Sequence, residues 1–137
     1  MTAVGYGTVS STIFALVNSQ ITSALKLPTA LPNVAFTPPS RSAWCRLSID
    51  WTSARQAIIG RARLRGDAVV SIFSPIGSGY RDAMGLAEQV RAVFASGDSG
   101  GVIFEDVRIV PVNSGAGVEA GWFQLNVMAA FFADEAS

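Results

Sequence analysis

The stretch from Gly66 to Phe94, GDAVVSIFSPIGSGYRDAMGLAEQVRAVF, decides how the rest of the chain is arranged. Val69 to Phe73 reads as a buried strand, Pro75, Gly77 and Gly79 as a turn, and the remainder as an amphipathic helix. Its apolar positions, Ala83, Leu86, Ala87, Val90, Val93 and Phe94, recur at the three- and four-residue spacing of a helix that lays one face on a sheet. The turn contains no catalytic group.

Working back from this stretch, Arg61 to Phe73 alternates. Ala62, Leu64, Gly66, Ala68, Val70 and Ile72 share one face, and Arg61, Arg63 and Arg65 begin the other. Trp44 to Trp51 alternates in the same way, with Cys45, Leu47 and Ile49 opposed to Trp44, Arg46, Ser48 and Asp50. Between the two strands, Thr52 to Gly60 reads as a loop or irregular strand. Leu27 to Ser42 carries Pro28, Pro32, Pro38 and Pro39, each of which removes a backbone donor, so it is expected to be an extended, packed arm. Val34 and Phe36 are expected to cover a core edge. Further back, Ser10 or Ser11 offers an N-cap to a helix striped by Ile13, Phe14, Leu16, Val17, Ile21, Ala24 and Leu25 and ending before Pro28. Met1 to Val9 has no periodicity and reads as a mobile arm.

Working forward, Ser96 to Gly101 makes a turn in which Gly97 stops the helix, and Val102 to Val112 reads as a strand broken near Pro111. Asn113 to Gly117 reads as a hairpin turn. Trp122 to Phe132 forms a last strand so apolar that both its faces need cover. The expected fold is therefore α+β: a mostly antiparallel four- to five-stranded sheet with two helices packed on it, in the order α-β-β-α-β-β. Residues 10–133 form one domain between a flexible arm, 1–9, and a polar tail, 134–137.

Composition narrows the function. Hydrophobic residues make up 50% of the 137 positions and charged residues 15%, against a usual ~25%, so the chain is short of charge for its own surface. No apolar run approaches the ~20 residues that span a bilayer, which directs the surplus toward subunit contacts. Ten basic residues balance ten acidic ones, leaving no overall field to recruit nucleic acid. The lone Cys45 has no internal disulfide partner, and a reducing cytoplasm suits it. The absence of histidine removes imidazole triads and ordinary zinc clusters.

The motifs yield to the same reasoning. Gly97-Asp98-Ser99-Gly100-Gly101 spells the residues around the nucleophile of trypsin-like proteases, yet no imidazole exists to take the serine proton, so it reads as a turn. Gly77-Ser78-Gly79 resembles half of a dinucleotide fingerprint, but Asp82 stands where the third glycine belongs, and a tight turn results. Glu105 and Asp106 are strand neighbours that point to opposite faces and cannot act as a hydrolytic pair. Arg61, Arg63 and Arg65, joined by Arg55, leave three readings open: a solvated face paired with Asp67 and Asp50, ion pairs at a subunit interface, or contacts to DNA phosphate. Trp122, Phe123, Phe131 and Phe132 read first as core, with subunit contact as the second reading because one small sheet has difficulty hiding them all.

Several ordered segments together carry a resemblance. STIFALV (Ser11 to Val17), LPNVAFTPP (Leu31 to Pro39), the Trp44-to-Ile49 strand, FSPIGSG (Phe73 to Gly79) and the GLAEQVRAVF helix (Gly85 to Phe94) resemble the tail terminator-like proteins of long-tailed bacteriophages. The resemblance implies a non-enzymatic virion part made in the host cytoplasm, with no catalytic residue, cofactor or metal. Six copies would form a ring on the tail tube protein, end its polymerisation and offer a docking face to the head-tail connector or neck protein. DNA would only pass through the lumen, without sequence-specific binding, and no membrane would be involved. Arg55, Arg61, Arg63, Arg65, Trp122, Phe131 and Phe132 are the residues expected at subunit or ring-to-ring contacts. Two other readings remain open: another neck or head-tail joining protein, and a non-viral oligomeric α+β ligand-binding domain sited at the Gly77-to-Gly79 turn.

Overall fold

In the computed structural model, the deciding stretch becomes strand β3 (Arg61–Pro75) followed by helix α2 (Tyr80–Ala95). The structure describes residues 6–39, 41–58, 61–77, 79–95, 98–99, 101–112 and 122–135, with 53–58, 61–62, 98–99 and 135 described by their backbone alone. Residues 1–5 of the expected arm, Ser78, the Gly97 helix stop, Gly100, the Asn113-to-Gly117 turn and residues 136–137 of the tail lie outside that description.

The sheet has six strands. β1 (Thr29–Ala30), β2 (Trp44–Ile58), β3, β4 (Asp98–Ser99), β5 (Val102–Pro111) and β6 (Trp122–Glu135) lie in the order β1-β2-β3-β6-β5-β4. Every neighbouring pair is antiparallel except β1 and β2, which run parallel. The expected order α-β-β-α-β-β therefore holds for the long elements. The sheet is mostly antiparallel as expected, but one pairing is parallel and the four to five strands expected are corrected to six. β1 and β4 have two residues each, too few to show any hydrophobic period.

Strand alternation builds the core. Cys45 and Leu47 on β2, Leu64, Ala68, Val70 and Ile72 on β3, Val102 and Phe104 on β5, and Leu125, Val127, Ala129, Phe131 and Ala133 on β6 share one face. Both helices cover that face, α2 through Ala83, Ala87, Val90 and Phe94, and α1 (Tyr6–Val17) through Val9, Ile13 and Val17. Gly66 belongs to this side as well. A Cβ there would stand 2.6 Å from the Asp50 backbone oxygen and 2.9 Å from Phe131 Cζ, so the glycine makes room for the edge contact between Trp51 and Phe131.

The first helix starts earlier than the serine cap suggests. It takes in residues 6–9, buries Val9 completely, and sets Tyr6 edge-on against Trp51 with ring centroids 4.6 Å apart. It then widens into a π-helical stretch, Asn18–Ser23, which keeps Ile21 in the core four residues after Val17. In the proline-rich arm, Phe36 packs on Trp44 at 5.4 Å, whereas Val34 is exposed and does not belong to the core it is expected to cover. β2 runs through Thr52 to Ile58 with register shifts at Trp51/Ser53 and Gln56/Ile58, the irregular strand rather than the loop. Gly77 and Gly79 adopt φ of 98° and 100°, as a tight turn requires.

Candidate assembly surfaces

Among the described residues, no helix covers the other face of the sheet. Alternation brings there Trp44, Arg46, Ser48 and Asp50 of β2, Arg63, Arg65, Asp67, Val69, Ser71 and Phe73 of β3, and Trp122, Gln124, Asn126, Met128, Ala130 and Phe132 of β6. β5 adds Ile103, Glu105 and, beyond a bulge at Asp106 where φ is 49°, Arg108.

The face has two unlike ends. Where β6 finishes, Arg63 binds Asp134 through both guanidinium and carboxylate, Nε to Oδ1 at 2.8 Å and Nη2 to Oδ2 at 3.2 Å. Arg65 reaches Glu105 at 3.4 Å, and both guanidinium groups lie over the Phe132 ring, at 4.4 and 5.5 Å. The hydrogen bond to Asp134 holds the Arg63 pKa above the usual arginine value; burial opposes it, and the charges of Asp134 and Glu105 add to it. Arg108 pairs with Asp106 at 3.1 Å. Of the expected cationic row, the structure thus unites Arg63 and Arg65, but their counter-ions are Asp134 and Glu105 rather than Asp67 and Asp50. Arg55 stands opposite Arg63 and Arg61 opposite Ile58 in the backbone ladder.

At the other end the cluster is aromatic. Trp44 stacks on Phe73 with centroids 4.2 Å apart and planes 17° from parallel, Trp122 meets Trp44 edge-on at 6.0 Å, and Arg46 lies 5.5 and 5.2 Å from the Trp44 and Phe73 centroids. Trp44 and Phe73 are buried, although no helix among the described residues lies over them. Strand alternation already sets both off the core face, and two large aromatics on an outward face were the signal for this cluster. Two buried polar atoms in it, Trp44 Nε1 and Gln124 Oε1, have no hydrogen-bond partner among the described residues. The Gln124 amide donates instead to Asn126 Oδ1 at 3.0 Å.

The aromatic residues expected at contacts divide between the faces. Trp122 and Phe132 are half-buried on the helix-free face, while Phe131 is 1% exposed and belongs to the core beneath the helices, which corrects its placement at a subunit contact. Adjacent strand residues point opposite ways, so Phe131 and Phe132 cannot share a surface.

Elsewhere the chemistry is quiet. Burial pushes the Cys45 thiol up to about 11, partly offset by its contact with Thr29 Oγ1 at 3.2 Å. Among the described residues no three His, Cys, Asp or Glu side chains gather as a metal site, and no helix is long and apolar enough to cross a membrane. The Asp98-Ser99 pair lies in β4, whose register with β5 returns through Gly101 at φ 87°.

Fold and surfaces together define a two-layer α+β domain with one sheet face sealed by helices and the other open. A family model described as phage tail terminator protein matches residues 12–131, and the chain belongs to that family. The family is a structural one, and membership makes the chain a component of the phage tail. A search of curated proteins finds no match. A solved structure whose title states no function aligns with a TM-score of 0.59 at 22% identity, over 93% of this chain and 95% of that one, which supports the fold.

Proposed function

We propose that the chain forms a ring, six copies in the closed form, that caps the tail tube. The cap stops polymerisation because its outer face no longer matches an incoming tube subunit, and the same face receives the neck or connector protein. DNA passes through the lumen without base-specific contacts. Host cytoplasm is the place of assembly, and the virion neck is the final location.

The observation that carries this reading is the open sheet face. Val69 is buried there, and Met128, Ala130, Phe132 and Trp122 are half-buried, in a tail-family chain with only 15% charged residues. Each half-buried apolar side chain gains roughly 25 cal/mol for every further Å² removed from water, which a neighbouring copy supplies. Arg55, Arg61, Arg63 and Arg65 belong to the rim of that contact or to the face between rings, where ion pairs set partner choice more than affinity. The test is electron microscopy of particles assembled without the protein. Overlong or headless tails are expected; tails of normal length joined to heads would end the proposal.

A further inference from the structure

The described charges sort into those satisfied within the chain and those that are not. Arg63, Arg65 and Arg108 are ion-paired, Arg91 donates to the Val107 carbonyl at 2.9 Å, and Arg46 lies over two aromatic rings. Asp50 and Asp67 have no ion pair among the described residues, although they face each other directly across β2 and β3 on the helix-free side. Like charges in a cross-strand pair are unfavourable unless something neutralises them.

The matching cations are on the opposite side of the sheet. Arg41 and Arg81 line one open cavity of about 530 Å³ where β3 leads into α2, with Ser42, Ser74 and Gln89 as further polar walls. Asp82 also lines it, so two guanidinium groups face one carboxylate and a positive charge remains. Neither arginine has an ion pair among the described residues. The cavity's Leu86 packs against the helix-side core, whereas Asp50 and Asp67 alternate with core-side residues and point away from it. Within one chain the sheet separates the two charge sets.

We propose that the Asp50 and Asp67 pair of one copy enters the Arg41 and Arg81 cavity of the next. This pairing rests on the ring reading above and assigns its subunit contact. Each guanidinium group can bind one of the two carboxylates in planar, bidentate fashion, and with Asp82 also in the cavity the cross-strand repulsion is lowered rather than cancelled. The apolar area comes from Ala130, directly beside Asp67, and from Met128 and Phe132 on the same strand face. Donor and acceptor patches differ and stand on opposite faces, so each contact leaves one of each free, the condition for a head-to-tail ring.

Two purified full-length variants test it, Arg41→Glu with Arg81→Glu, and Asp50→Arg with Asp67→Arg, each first checked for a wild-type thermal melt. Native mass spectrometry should show wild-type rings and at least a tenfold loss of association for each variant alone. Mixing the two restores rings of alternating subunits, because every contact again joins opposite charges. Wild-type rings together with rings in either variant alone, or with variants that stay apart on mixing, overturn the pairing and leave the ring intact. Variants that keep their rings and lose only affinity for a short DNA duplex also overturn it, by placing a phosphate in the cavity. A wild-type chain that forms no ring, alone or on tail tubes, removes the ring and the pairing together.

Discussion

Cys45 shows how far one side chain's setting determines its chemistry. Its thiol is sealed under the edge of the sheet, and Thr29, which it touches, also accepts from Thr22 at 2.8 Å and donates to the Leu27 carbonyl at 3.0 Å. Burial raises the thiol pKa from 9.0 to about 11, so the folded protein keeps its proton where the unfolded chain loses it. The sign follows from linkage: stability is fully present below the unfolded pKa and is lost as pH rises from about 9 toward about 11. The loss amounts to roughly 2 to 3 kcal/mol across that window, at about 1.4 kcal/mol per tenfold change. Denaturant melts at pH 7.5, 9 and 10.5 should show it, and Cys45→Ser should flatten that part of the profile. Alkylation by iodoacetamide at pH 8 should be slow in the folded protein and fast in denaturant. Rapid modification of the native chain would show that the thiol is not sealed.

Elements differ in how openly the amino-acid order announces them. α2 and the long strands are legible because their burial repeats at 3.6 or 2.0 residues, and the face of β3 from Leu64 to Ile72 is read correctly position by position. β1 and β4 are not legible, having two residues each and owing their existence to their neighbours. The start of α1 is hidden because Gly5 and Gly7 look like an arm until Val9 is seen filling the core. The arginine row shows the limit most clearly. Its residue types and common face are legible, but the partners that neutralise it lie 71 and 40 residues away, and only the fold brings them near. The split between Phe131 and Phe132, by contrast, follows from alternation alone. The proline-rich arm is tied down at its start by β1 and by Leu27 and Leu31, and further along Phe36 packs on Trp44. Phe36→Ala should therefore speed amide hydrogen exchange in residues 31–37 by at least tenfold and leave exchange in α2 unchanged. Equal acceleration in both would mean that the arm is part of the global unfolding unit rather than a separately opening segment.

At the scale of the whole molecule, the helices make the two faces of the sheet inequivalent, and that asymmetry restricts how copies can join. A contact between two open faces would be isologous and stop at a dimer, whereas an open face set against a helix-side surface repeats until it closes. A substitution on one face distinguishes these cases. Met128 is half-buried at the centre of the open face, between Val69 of β3 and Arg108 of β5, and takes no part in the helix-side core. Met128→Glu, at a half-buried position outside the helix-side core, should cost the monomer only about 1 kcal/mol, the centre of the range for point substitutions. It should nevertheless block the open face against any apolar partner. In a head-to-tail assembly such a copy still offers its helix side, so it joins a growing arc and ends it. Mixed with wild type, it should convert rings to arcs, and no arc should hold more than one variant copy, because a second would need a working open face on the first. Native mass spectrometry with isotopically labelled variant counts those copies directly. Arcs with two or more variants, or wild-type rings undisturbed by an excess of it, would mean that the open face is not the surface through which copies join.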